Sequence, residues 1–365
     1  MKKGWKTELL GELCDVLDHK RKPITKRDRE AGEYPYYGAT GVLDNVAGFL
    51  FDEPLVLVGE DGAKWASGEN SAFAVEGKIW VNNHAHVLRP HRTVLLDNWL
   101  IYHLNHTDLI EFVSGLTGPK LNQGRLREIP IPGPPLAEQQ RIVGLLDEAF
   151  EGLATAKANA EKNLQNARAL FESHLQSVFA QCGPGWVETT LDKISTNLDS
   201  KRIPITKNIR TSGEYPYYGA SGIVDYVADY IFDGDNLLVS EDGANLLARS
   251  TPIAFSVSGK YWVNNHAHIL HFENMATRRF VEFYLDNIKL DEYITGAAQP
   301  KLNQKALNSI PIPIPKSLDD QARIVARVES LHEETQRLAR LYERKLVALE
   351  SLKKSLLHQA FTGEL

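Results

Sequence analysis

Cysteine is nearly absent: the 365 residues hold two, Cys14 and Cys182. That excludes a disulfide framework and predicts a reducing, cytoplasmic setting. No stretch approaches the ~18 unbroken apolar residues of a membrane span. The opening MKKGWKTELL carries lysines with no apolar run behind them, so neither a secretory leader nor a membrane partner is expected. Three catalytic signatures are also missing: Gly-x-Gly-x-x-Gly, the Gly-x-x-x-x-Gly-Lys-Ser/Thr phosphate loop, and Asn-Pro-Pro-Phe/Tyr. A surplus of basic residues is missing too, with 41 Lys+Arg against 47 Asp+Glu and a net charge of −6. This argues mildly against nucleic acid, although local clusters outweigh the average. What remains is an ordinary globular composition, 43% hydrophobic and 24% charged. At roughly 100–200 residues per domain, two or three domains are expected.

The chain is one unit written twice. GEYPYYGA at 32–39 returns at 213–220, EDGA at 60–63 returns at 241–244, and WVNNHAH at 80–86 returns at 262–268. PKLNQ at 119–123 returns at 300–304, and IPIP at 129–132 returns at 310–313. Several blocks in one order and nearly one register mark a duplication of the whole chain, with a period too long for a solenoid.

Each copy has two parts. The first is rich in Gly, Pro and aromatics with short β-like runs, and helix is expected at 93–113 and 275–290. The second follows a proline-rich stop, IPIPGPPL or IPIPIPKSL, after which proline vanishes and Ala, Leu, Glu, Gln, Lys and Arg dominate. Propensity and start signal both predict a long helix. Heptad rows run through Leu146, Leu153, Ala160 and Ala167, with Ile142, Ala149, Ala156 and Leu170 beside them, interrupted at Asn163. The second copy places Ile324, Leu331, Leu338 and Leu352, broken at Lys345, beside Val328, Thr335, Tyr342, Leu349 and Leu356. An Ala-rich seam facing a Leu/Tyr-rich one favours pairing of the two helices as a coiled coil. The alternative is that each helix covers its own domain. Some 40 residues at 1.5 Å rise would span ~60 Å, more than one such domain offers.

The expected fold class is α+β: two similar globular domains separated by a long antiparallel two-helix coiled coil, with internal pseudo-two-fold symmetry. The expected segments are 1–136 and 183–317 for the domains and 137–182 and 318–365 for the helices. Two heads held apart by a stiff spacer suit two half-sites on duplex DNA, where separation follows the ~34–36 Å helical repeat.

Several residues are candidates for the DNA face. Lys20, Arg21 and Lys22 head the cluster HKRKPITKRDR, and Lys201 and Arg202 hold the matching places. They suit phosphates, or form a solvated loop. Asn82, His84 and His86, repeated as Asn264, His266 and His268, would share one polar strand face with partners for phosphates and base edges. The same His-x-His pairs, joined by Asp61 and Asp242, could instead converge on a metal, making the chain a metal-dependent hydrolase. Lys120, Asn122 and Gln123, with Lys301, Asn303 and Gln304, suit phosphate and adenine, or start a helix with the asparagine as cap. Tyr36, Tyr37, Tyr217 and Tyr218 are DNA candidates that would otherwise be core. After EDGA the copies diverge, with Lys64-Trp65-Ala66 against Asn245-Leu246-Leu247. A loop that varies on a fixed frame is where binding preference can change.

The paired YPYYGATG and YPYYGASG, EDGA, NNHAHVL and NNHAHIL, PKLNQ, IPIP and the closing SLLHQAFTGEL resemble the specificity subunit of type I restriction–modification systems. The resemblance covers the full chain. It implies two target-recognition domains reading a split double-stranded DNA sequence, and no catalysis by this chain. It further implies helices that set the spacer and dock two methyltransferase (modification) subunits, with a translocating restriction subunit as an optional further partner. S-adenosylmethionine and ATP/Mg then belong to those partners, and none is expected here. Because most blocks match between copies, the two half-sites are expected to be related, giving an interrupted near-palindrome.

Overall fold

The computed structural model describes residues 5–115, 117–180, 183–296 and 298–365. Cys182 lies outside them, as do Leu116 and Ala297 in the lead-ins to PKLNQ. The chain divides into two compact units: residues 1–161 with 343–365, and residues 162–342. Each unit therefore combines one copy of the domain with part of each long helix, Leu136–Ala180 and Leu318–Thr362.

In the first unit one four-stranded sheet runs Cys14–Val16, Ala85–Pro90, Leu55–Gly59, Ala72–Val75, all antiparallel. A second runs Gly41–Val46, Ala31–Gly38, Lys78–Val81, Phe51–Asp52, with its central pair parallel. Strand Leu55–Gly59 is buried along its whole length, which explains its unbroken apolar run. The second unit repeats both sheets with the same strand order. Helices Asp97–His106 and Met275–Asn287 lie within the spans expected from sequence.

The IPIP segments are strands. Pro130–Gly133 pairs with Lys6–Leu9, and Pro311–Pro315 pairs with Trp186–Thr190. A two-stranded ribbon leaves each strand one unpaired side, where a proline lacking N–H is tolerated.

Within each unit the long helices both meet each other and enter the domain core. Within the first unit they run antiparallel: the Arg141 guanidinium donates to the Leu365 carbonyl, and Lys157 pairs with Glu350 at 2.8 Å. The first turns of helix Leu136–Ala180 also enter their own core through Ile142, Val143 and Leu146. The same core takes Leu357, Ala360 and Phe361 from the far end of the other helix, with the Phe361 ring 4.8 Å from Trp99. The second unit repeats this: Val325 and Val328 meet Leu175 and Phe179, and Phe179 packs edge-on to Phe280 at 5.3 Å.

The rows Leu146–Leu153–Ala160–Ala167 and Val328–Thr335–Tyr342–Leu349–Leu356 are all at least half-buried. The companion rows slip. Leu170 and Leu352 are exposed, and the half-buried positions fall on Leu164 and Leu346. They lie eight residues beyond Ala156 and Leu338, the last row members before the interruptions at Asn163 and Lys345. An α-helix drifts ~20° per heptad against a 3.5 repeat, so a long helix must skip a place to stay in contact.

Candidate nucleic-acid interface

Four separated motifs meet at one place in each unit. In the first unit the backbone joins three of them: Glu60 N–H donates to the His84 carbonyl, and Leu121 N–H donates to the Glu60 carbonyl. A charge network centred on buried His86 and Glu60 then locks them. His86 is fully buried, with Nδ1 at 2.6 Å from Asp18 and Nε2 at 2.6 Å from the Leu121 carbonyl. Asp18 also accepts from Val87 N–H at 2.9 Å. The Arg21 guanidinium donates to Glu60 and to the Ala85 carbonyl, and Lys120 pairs with Glu60 at 2.9 Å.

The second unit rebuilds the network from Asp199, Arg202, Glu241, His268 and Lys301. His268 lies 2.6 Å from Asp199 and 2.7 Å from the Leu302 carbonyl, and Lys301 is 3.1 Å from Glu241.

Burial works to raise the Asp18 carboxyl, but the bond and charge of His86, Val87 N–H and Arg21 outweigh it and hold it below the usual range. Glu60 is likewise held low against burial by Lys120 and Arg21. Glu60 in turn raises Lys120. Asp199 and Glu241 follow the same pattern.

This geometry corrects the expected polar strip. Residues 82–84 form a turn between strands Lys78–Val81 and Ala85–Pro90, so the side chains do not share a strand face. Asn82 and Asn264 are buried, and each side-chain oxygen accepts the N–H of His84 or His266 at 2.8 Å, shaping the turn. His84 and His266 point out to Asp61 and Asp242 at 2.5 and 2.8 Å, while His86 and His268 point into the core. The two imidazoles of each His-x-His thus diverge.

Asp18, Glu60 and His86 do place ligand atoms within 4.8 Å of one another, as do Asp199, Glu241 and His268. However, both nitrogens of each histidine are engaged, and Arg and Lys already neutralise the carboxylates. A divalent cation would have to displace a part-buried guanidinium already bonded to the glutamate, so the metal-hydrolase reading finds no support.

Other candidates are structural. Tyr36 and Tyr217 are buried, and their hydroxyls accept from Ile24 and Ile205 N–H. The Arg29 and Arg210 guanidinia stack on these rings at 4.4 and 4.3 Å. Tyr37 and Tyr218 pack on Phe73 and Phe255. Trp65 is core, its indole N–H bonded to the Gly59 carbonyl at 3.0 Å, and Leu246 is buried in the second unit. The divergence after EDGA is therefore partly an exchange of core anchors. Asn245 bonds its own loop through Ser250 and Thr251. Arg21 and Arg202 are consumed by the network. Asn122 and Asn303 cap helices Gln123–Arg127 and Gln304–Ser309, as the helix-start reading expected, yet stay exposed.

Lys20, Lys22, Lys64, Lys201, Gln123 and Gln304 are exposed, as are His84 and His266, and Lys120 and Lys301 are half-exposed. Sequence reasoning missed the acidic half of the network, Asp18 and Glu60 with Asp199 and Glu241. The glutamates stood inside the repeated EDGA, and only their long-range partners reveal why they recur.

Residues 2–164 and 184–343, one span per copy, match the family described as the type I restriction modification DNA specificity domain. The chain belongs to this family. It is a non-catalytic DNA-specificity subunit with two target-recognition domains. It is 34% identical over 168 residues to a putative type I restriction enzyme specificity subunit, S.HindORF215P, of Haemophilus influenzae. That match covers 46% of this chain and 41% of the relative. The EcoDI specificity subunit of Escherichia coli is 24% identical over 99% of this chain and 88% of its own length. Among solved structures, a chain from a study of complex assembly and conformational transition in the type I R-M system covers 100% of this one and 99% of itself, with TM-score 0.73 and 18% identity. The HsdS subunit of Thermoanaerobacter tengcongensis covers 100% of this chain and 98% of itself, with TM-score 0.62 and 18% identity. Among the described residues, no helix is long and apolar enough to cross a membrane.

Proposed function

We propose that this specificity subunit reads an interrupted, near-palindromic duplex, one half-site per unit. DNA meets the face where the EDGA, NNHAH and PKLNQ loops converge. The carrying observation is the duplicated five-residue network, which fixes the same loop frame twice while some residues around it differ, Lys22 against Ile203 and Lys64 against Asn245. A rigid frame with variable tips is a physical basis for two related half-sites. In this reading Lys20, Lys22, Lys64, Lys120, Lys201 and Lys301 address phosphates, and Gln123, Gln304, His84 and His266 reach polar groups of the duplex.

The long helices set the spacer and dock two methyltransferase subunits, which bring S-adenosylmethionine. A restriction subunit with ATP and Mg²⁺ is an optional further member. The setting is the cytoplasm.

The test is selection from a randomised duplex library by the assembled complex, followed by mapping of methylated positions. Related half-sites on opposite strands are expected; unrelated ones overturn the near-palindrome. Two extra turns inserted in each long helix should lengthen the selected spacer, and an unchanged spacer removes the helices as its determinant. Lys20→Gln and Lys22→Gln should weaken binding across sequences and each reduce the salt slope by about 1.

A further inference from the structure

Each unit carries an aliphatic pair on a surface hairpin. Strand Gly41–Val46 is the edge of its sheet and pairs with Ala31–Gly38 through a two-residue turn, Ala39-Thr40. Its register shifts between Tyr36 and Tyr37, a bulge that takes Leu43 out of the ladder. Val42 and Leu43 are each 54% exposed. The second unit repeats the strand as Gly222–Val227 with the same bulge, and Ile223 and Val224 are 48% and 55% exposed. An edge strand normally protects itself with charge, not with adjacent aliphatics. Two copies keeping such a pair at the same bulge call for an occupant.

The hairpin is fixed to the loop frame of the proposed interface. A methyl placed on Gly38 would lie 2.5 Å from Leu43 Cδ1 and 3.4 Å from the Asn82 amide nitrogen. Leu43 therefore lies over Gly38 beside the NNHAH turn. Val224 lies over Gly219 beside Asn264 in the same way, at 2.9 and 3.3 Å. In the second unit Ser240, just before EDGA, donates to the Ala220 carbonyl of the hairpin turn at 2.5 Å. On the other side Arg29 joins the hairpin at Asp44, and Lys22 N–H bonds the Val81 carbonyl next to Asn82. The strand thus has basic neighbours in both units, Arg29 and Lys26 acting on Asp44 and Arg210 and Lys207 acting on Asp225, which favours a polyanion over a neutral protein surface.

We infer that Val42-Leu43 and Ile223-Val224 enter a groove of the duplex and read thymine methyl groups. This rests on the DNA-reading proposal above. The C5 methyl of thymine is the apolar feature of the major groove, and an aliphatic side chain gains there what a polar one cannot. The pairs differ between copies, Val/Leu against Ile/Val, so they also offer the half-sites a means to differ.

The experiment uses the full chain assembled with its methyltransferase subunits. The selected duplex is compared with one carrying uracil for thymine in one half-site. Val42→Thr with Leu43→Asn should weaken binding to the thymine duplex between about 5-fold and 160-fold, the range of one mismatched base pair. The uracil duplex should bind the wild type correspondingly weakly, and the variant should lose nothing further on it. Gly38→Ala, which displaces Leu43 without removing it, should show a smaller loss of the same kind. Equal binding by wild type and variants, or a half-site without an A·T pair, overturns the inference while leaving the DNA reading intact. Failure of the wild-type complex to select any sequence overturns both. Loss of the methyltransferase subunits from the variant complex would identify the hairpin as a protein-docking edge and reject the groove assignment.

Discussion

Asp286 in the second unit holds the strand edge that Asn105 holds in the first. The Asn105 side chain accepts from Ala72 N–H at 2.8 Å and donates to the Ala72 carbonyl at 2.9 Å. Asp286 accepts from Ile253 and Ala254 N–H at 2.9 and 3.0 Å. A carboxylate can accept but cannot return the donation. Burial, partly offset by those two N–H groups, pushes its carboxyl up from 3.8 to about 6. A raised folded value favours the protonated form. The stabilisation is complete below the unfolded value near 3.8 and is lost as pH rises through about 6.

Asp286→Asn should therefore raise unfolding stability at pH 7.5 by about 1–3 kcal/mol. It should also flatten the dependence between pH 4 and 7. Urea denaturation at pH 5.0 and 7.5 checks this, and destabilisation at both values would refute it.

The networks act with the opposite sign. Asp18, Glu60, Asp199 and Glu241 all have depressed folded values. Their stabilisation is present above the ordinary carboxylate range and fades as pH falls through the lowered values. Stability should drop steeply below about pH 4, where unfolded carboxylates take up protons. Arg21→Gln should remove part of that slope. Thermal melts across pH 3–6 give the comparison.

The two histidines of each His-x-His should behave differently. His86→Ala strands the Asp18 carboxylate and the Leu121 carbonyl in the core and should cost about 2–4 kcal/mol. His84→Ala removes a half-exposed pair and should cost less than about 1 kcal/mol. If the complex forms, His84→Ala should weaken DNA binding with the fold retained. Equal losses of stability in the two variants would contradict the assignment.

Phe361→Ala should destabilise by about 3–5 kcal/mol, because the ring fills a core with Trp99 and His103. Leu352→Gln should stay within about 0.5 kcal/mol, since that side chain lies off the seam. Differential scanning calorimetry of both variants decides between the heptad rows as written and the rows as packed.

The repeat, the long helices, helices Asp97–His106 and Met275–Asn287 and the family were legible because each depends on local pattern. Leu352 was misplaced because a strict count of seven ignores accumulated helical phase. The NNHAH strip was read as a strand because alternation cannot register the Asn82 side chain bending the chain into a turn. Arg21 was read as a surface cation because its partner Glu60 is distant in sequence. Tyr36 and Trp65 went to the core, where large rings gain most from leaving water. What the sequence could not disclose is which charges are already answered from elsewhere in the chain.

The core around Trp99 is closed by Leu357, Ala360 and Phe361, which are translated only after the whole of the second unit. The first unit thus waits through the synthesis of the second before it can finish folding. A chain cut short upstream of residue 357 would leave that earliest domain open, so incomplete products carry their own mark for proteolysis.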